Sequence, residues 1–98
     1  MIGLIAKLKV QDGKGAEFEK AFALLSAKVN SDEEPGALLY KLCKSRTDAG
    51  AYVVMELYRD QAAVDEHPKT KHFTELWPAI GGLLQPGRPD FEFVDSVD

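Results

Sequence analysis

The sequence predicts an α+β fold of order βαββαβ, in which four antiparallel strands form one sheet and both helices cover a single face, the ferredoxin-like arrangement. Three observations carry this. The chain opens on period-two hydrophobic alternation, two segments of helical apolar periodicity alternate with strand-like runs, and the middle two runs are joined by a loop, Ser45 to Gly50, as a hairpin with a long turn.

Ile2, Leu4, Ala6, Leu8 and Val10 alternate with mostly polar or small residues, which is the pattern of a half-buried first strand. Asp12 and Gly13 supply turn chemistry and a helix cap. Phe18, Ala21, Phe22, Leu25 and Val29 then recur at helical spacing, giving a first helix that ends near Asn30. Ser31 to Gly36 reads as a charged loop closing on a Pro-Gly turn. Ala37–Lys44 and Ala51–Tyr58 read as two strands of a hairpin around a loop that holds Asp48 and Gly50. Asp60 fits an N-cap for Ala62, Ala63 and Val64, whereas Pro68 biases His67 away from helical geometry and breaks the helix there. A further helical piece is expected from Lys69 or Thr70, burying Phe73, Leu76 and Trp77, with Pro78 marking another kink. The stretch GGLLQPGRP reads as irregular, and FEFVDSV as the last strand.

The 98 residues suffice for one domain, residues 1–98, and no linker long enough to separate a pair of domains occurs. A formal charge of −4 with no basic run argues against a nucleic-acid partner, because such binding rests on clustered Lys and Arg. The opening MIGLIAKLKV is too short and too interrupted by Lys7 and Lys9 for a signal peptide or membrane span. Cys43 has no second thiol with which to pair, so the chain reads as a soluble, cytoplasmic protein. Neither face of the third strand is as polar as a solvated sheet face should be: Ala51, Val53, Met55 and Leu57 lie on one, Tyr52, Val54, Glu56 and Tyr58 on the other. Two helices cover one face only, so a homodimer packed through the open sheet faces is expected.

The pattern Glu34-Pro35-Gly36, Tyr40, Glu56-Leu57-Tyr58-Arg59-Asp60, Ala63, His67 and His72-Phe73 resembles the antibiotic biosynthesis monooxygenase family over nearly the whole chain. The resemblance implies a dimeric α/β barrel of ferredoxin-like subunits. It also implies an oxygenase that works on a small hydroquinone or phenol with dioxygen and uses no flavin, haem or metal; no GxGxxG or GxxxxGK[ST] phosphate cradle is present. The family's haem-degrading branch relies on an Asn in the first strand, which IGLIAKLKV lacks. Other expectations the resemblance leaves open are an isomerase of a small carbonyl or sugar-phosphate-like compound and a non-catalytic ligand-binding dimer.

Cofactor-free oxygenation needs a base to form the electron-rich anion and a pocket that keeps radicals from water. His72, at the family's His-Phe position, is the first candidate base, and His67 the second. The histidines lie five residues apart, about 140° around a helix, and so lack the i, i+4 alignment of a helical metal pair. Glu56, inside an apolar strand, calls for a partner such as a histidine or an Arg. Tyr40, Tyr58, Phe73 and Trp77 are the side chains suited to shaping a pocket for a flat aromatic substrate.

Overall fold

A computed structural model describes residues 1–98. The elements are β1 (Ile2–Lys9), α1 (Gly15–Val29), β2 (Ala37–Lys44), β3 (Ala51–Tyr58), α2 (Gln61–Glu66), a 3-10 turn (His67–Lys69), α3 (Lys71–Gly81) and β4 (Asp90–Asp95). The sheet order is β2-β3-β1-β4 with every neighbouring pair antiparallel, as the βαββαβ reading requires. No helix is long and apolar enough to cross a membrane.

Register assigns the two sheet faces. Leu8 opposite Tyr52, Ala6 opposite Val54 and Tyr40 opposite Glu56 place these residues on the helix side, where all are buried. Phe18, Phe22, Leu25 and Val29 of α1 close over them at the spacing that puts them on one helical face. The opposite face carries Ile5, Leu39, Val53, Met55, Leu57 and Val94, and no element of the chain covers it. Leu39, Met55 and Val94 are consequently exposed.

Local chemistry differs from the sequence expectation at four points. Gly13 makes its turn with φ +78°, but Asp12 caps nothing: α1 starts after Lys14 without a side-chain cap. His67 keeps a helical backbone (φ −47°, ψ −53°) despite preceding Pro68, because the chain tightens into a 3-10 turn instead of breaking. Asp60 and Thr70 cap the pieces on either side, accepting from Ala63 N and Phe73 N. The α3 helix runs through Pro78 to Gly81, and this extra turn delivers Ile80, fully buried, to the core. Phe73, Leu76 and Trp77 are only half-buried, since α3 faces a cavity along part of its length.

The Glu34–Gly36 turn is held against the end of β3. Arg59 N donates to Gly36 O at 2.9 Å, and Ala37 N to Glu34 O at 3.1 Å. A side chain at Gly36 has no room: an added Cβ would lie 2.6 Å from the Ala63 Cβ at the start of α2. Gly36→Ala is therefore expected to push α2 away from β2 and cost about 1–3 kcal/mol, read by urea denaturation. An unchanged midpoint would show that the contact yields freely.

Candidate functional site

A carboxylate holds two histidines at the centre of the site. Glu34 sits in the loop before β2, yet is only 6% exposed. His67 of the 3-10 turn meets its Oε2 through Nδ1 at 2.6 Å, and His72 of α3 meets its Oε1 through Nε2 at 2.5 Å. Both rings are themselves buried. Burial alone raises the Glu34 pKa, but the hydrogen bonds and charges of His67 and His72 outweigh it and hold the carboxyl below its usual range. An ionised carboxylate only accepts, so each imidazole donates through the nitrogen that touches it. The tautomers follow: His67 is protonated on Nδ1 and His72 on Nε2.

In the neutral ring His67 Nε2 carries the lone pair, and it is left without a protein partner. No fully enclosed side-chain nitrogen or oxygen lacks one, so Nε2 opens onto space, and His67 lines a cavity of about 740 Å³ between the sheet and the α2–α3 segment. The volume is in the range of small-molecule sites. His72 is not among the cavity residues; it stands behind Glu34. The five-residue separation that takes the two rings off a common helical face lets them grip one carboxylate from both sides.

The cavity is mainly apolar. Tyr40, Tyr58 and Phe73 pack around the His67 ring with centroids 5.3, 5.4 and 5.0 Å away, and Trp77 stacks on Phe73 at 5.2 Å. Phe91 and Phe93 of β4 form the far wall. They share the helix-side sheet face with Leu4 and Ala6, but no helix reaches them and both are more than half exposed.

The second polar group in the cavity is Glu56. Its partner is the Tyr58 hydroxyl, which donates to Oε1, and not a histidine or an Arg. Burial raises its pKa above the ordinary value; the Tyr58 hydrogen bond and the His67 charge oppose this without cancelling it, and the Glu34 charge adds to it. The remaining oxygen, Oε2, has no protein partner and is not fully enclosed, and Glu56 lines the cavity. Burial, with nearby Glu56, pushes the hydroxyls of Tyr40 and Tyr58 far above their usual pKa, so both stay protonated. Tyr52 lies elsewhere, bonded to Glu19.

Of the residues singled out in the sequence, Tyr40, Glu56, Tyr58, His67, Phe73 and Trp77 line one cavity, and His72 reaches it only through Glu34. Sequence reasoning missed Glu34 as a site residue, and missed Phe91 and Phe93. A Pro-Gly turn after Glu34 was the only sign that its loop is tightly held. The aromatic alternation of FEF was legible as a strand but not as a cavity wall.

A ferredoxin-like α+β fold thus carries a mainly apolar cavity of small-molecule size, with His67 and Glu56 on its wall. Residues 1–77 match the family model described as antibiotic biosynthesis monooxygenase, and the chain belongs to that family. The fold recurs with a TM-score of 0.91 in a Caulobacter crescentus protein named for the same family, 44% identical over 99% of this chain and 90% of that one. A second structure named antibiotic biosynthesis monooxygenase is 28% identical over the full length of both chains, with a TM-score of 0.88. SnoaB from Streptomyces nogalater, named a cofactor-independent oxygenase, shares the fold at 20% identity (TM-score 0.82, 99% of this chain and 93% of that one). No curated protein matches the chain.

The opposed shifts of the two carboxylates give a testable pH dependence. Because the Glu34 pKa is lowered in the fold, its carboxylate contributes stability above the ordinary carboxylate range, and this is lost as pH falls through the lowered value. Glu34→Gln keeps the shape but loses the charge. Denaturation near neutrality is expected to show a loss of about 1–3 kcal/mol. The gap from the parent protein should close in acid, where Glu34 is protonated anyway; a gap independent of pH would refute the charge-based account. Glu56, raised in the fold, favours folding in the opposite sense, at low pH, and because the Glu34 charge contributes to that rise, Glu34→Gln also lessens it.

Proposed function

We propose that the protein is a cofactor-independent monooxygenase that oxidises a small hydroquinone or phenol with dioxygen. The observation that carries the reading is the Glu34-fixed His67, which lines an apolar, aromatic-rich cavity and whose Nε2 has no protein partner. Family membership supports it, as does the name of SnoaB.

His67 takes the phenolic proton, and Glu34 stabilises the imidazolium that forms, as the carboxylate of a catalytic triad does. The resulting anion passes one electron to dioxygen. The two radicals recombine at a ring carbon as a hydroperoxide, which loses water to leave a quinone: one oxygen atom enters the substrate, the other departs as water, and the substrate supplies all the electrons. The apolar walls keep bulk water from the radical pair. Phe73 and Trp77 flank the ring, while Tyr40, Tyr58 and Glu56 face its oxygens. The role first expected of His72 passes to His67, with His72 holding Glu34 in place.

Oxygen uptake on adding a freshly reduced naphthoquinol, corrected for autoxidation, tests this. His67→Ala is expected to lower the rate about 100-fold or more, and His72→Ala by less. Uptake by His67→Ala equal to that of the parent would remove the assigned base.

The reading also makes this single domain a cytoplasmic subunit of a homodimer. The exposed apolar face around Met55, Leu39 and Val94 supports this, since an apolar sheet face is stable when a second sheet packs on it. Met55→Lys should shift sedimentation velocity from dimer to monomer. A dimer that persists unchanged would mean that this face is not the interface.

A further inference from the structure

We propose that the open sheet faces of two copies meet about a two-fold axis running along the strands, so that Lys41 on β2 of each copy pairs with Glu92 on β4 of the other. The proposal rests on the sheet-face homodimer and adds its orientation and the charges that decide which copies pair.

The registers order the open face into rows. Lys41, Met55, Ile5 and Glu92 stand side by side across β2, β3, β1 and β4, so one row is cationic at one edge, apolar in the middle and anionic at the other. Lys41 and Glu92 are exposed, and neither has an ion-pair partner within the chain. The neighbouring row, Leu39, Leu57, Gly3 and Val94, is apolar throughout. Val94 leans over Gly3, where an added Cβ would lie 2.8 Å from Val94 Cγ2, and this keeps the row continuous. In the row on the other side, Lys7 stands beside Asp90 on the adjacent strand, so those two charges already have an opposite neighbour.

A homodimer interface is self-complementary, because the same surface serves both copies. Two sheets packed face to face are related by a two-fold axis that runs either across the strands or along them. An axis across the strands lays each strand over its own copy. The open face of β2 carries no carboxylate and that of β4 no cation, so no position of this axis brings Lys41 to Glu92; with their row on the axis, each meets its own like charge. An axis along the strands exchanges left and right instead. It lays β2 over the partner's β4 and β3 over the partner's β1, and it shifts nothing along the strands, so every row faces its own copy. Lys41 then faces the partner's Glu92 at one edge and Glu92 the partner's Lys41 at the other, with Met55 packed on the partner's Ile5 between them. The usual angle of about 30° between packed sheets displaces the edge strands by about 4 Å, which long Lys and Glu side chains span. The apolar row closes on itself in the same way, Leu39 against the partner's Val94.

Charge exchange at low salt, where exposed charges are least screened, tests the orientation. Lys41→Glu and Glu92→Lys each set two like-charge pairs across the interface, and each is expected to weaken the homodimer about tenfold or more in sedimentation velocity. Mixed in equal amounts, with one variant labelled with heavy nitrogen, the two are expected to give mainly the heterodimer in native mass spectrometry. Both substitutions in one chain restore the parental homodimer, which also shows that these exposed positions tolerate them. Single variants that dimerise as the parent does, or a mixture in statistical proportion, overturn the orientation while leaving the sheet-face dimer standing. A parent protein that sediments as a monomer overturns both.

Discussion

The Glu34 carboxylate is the interaction on which the site depends. It belongs to the loop before β2, and its two oxygens reach the 3-10 turn and the start of α3. One buried charge thus ties the loop before β2 to two adjoining segments 33 and 38 residues further along the chain. Burying an ion is costly unless its lone pairs are occupied, and here both oxygens have donors. The hydrogen bonds that offset this cost also select the His67 tautomer, so stability and chemistry rest on the same atoms.

The Gly36–Ala63 contact makes that arrangement possible. Because neither residue carries more than a methyl group at the contact, the turn bearing Glu34 can lie directly against α2, and the Arg59 N–H locks it to the end of β3. The cavity arises from a different imbalance. The α1 helix covers the β1–β3–β2 side of the sheet, while β4 at the opposite edge keeps its aromatic residues uncovered. The space between Phe91 and Phe93 on the sheet and Phe73 and Trp77 on α3 is therefore left open. A sheet face buried along its whole width would have no such opening.

Element order was legible because each strand and helix announces itself by its own periodicity, and the family pattern was legible because its residues sit at element boundaries. Tertiary partners were not. Glu34 lies in a run of charges that reads as solvated, and only the 33- and 38-residue separations to His67 and His72 make it a core residue. Pro78 reads as a kink, and the helix continues through it and brings in Ile80, since core packing outweighs one missing backbone hydrogen bond. His72 reads as the better base because its Phe73 neighbour anchors it; in the fold that anchoring turns it toward Glu34 and off the cavity wall. Local pattern locates a histidine on a helix, but which ring nitrogen is free depends on partners in other elements.

Glu34 and Glu56 show how one small core assigns two carboxylates opposite tasks. Both are nearly inaccessible, and burial presses both toward the neutral form. The difference lies in the donors. Glu34 faces two imidazoles that can carry positive charge, which keeps it ionised and hence able to stabilise an imidazolium. Glu56 faces a tyrosine hydroxyl, a neutral donor that also lies under the influence of the Glu34 charge, and this is too little to overcome desolvation. Ionising Glu34 therefore adds to the rise of the Glu56 pKa. The two carboxylates form a coupled pair in which the Glu34 anion disfavours ionisation of Glu56, and their different donors drive their pKa values in opposite directions.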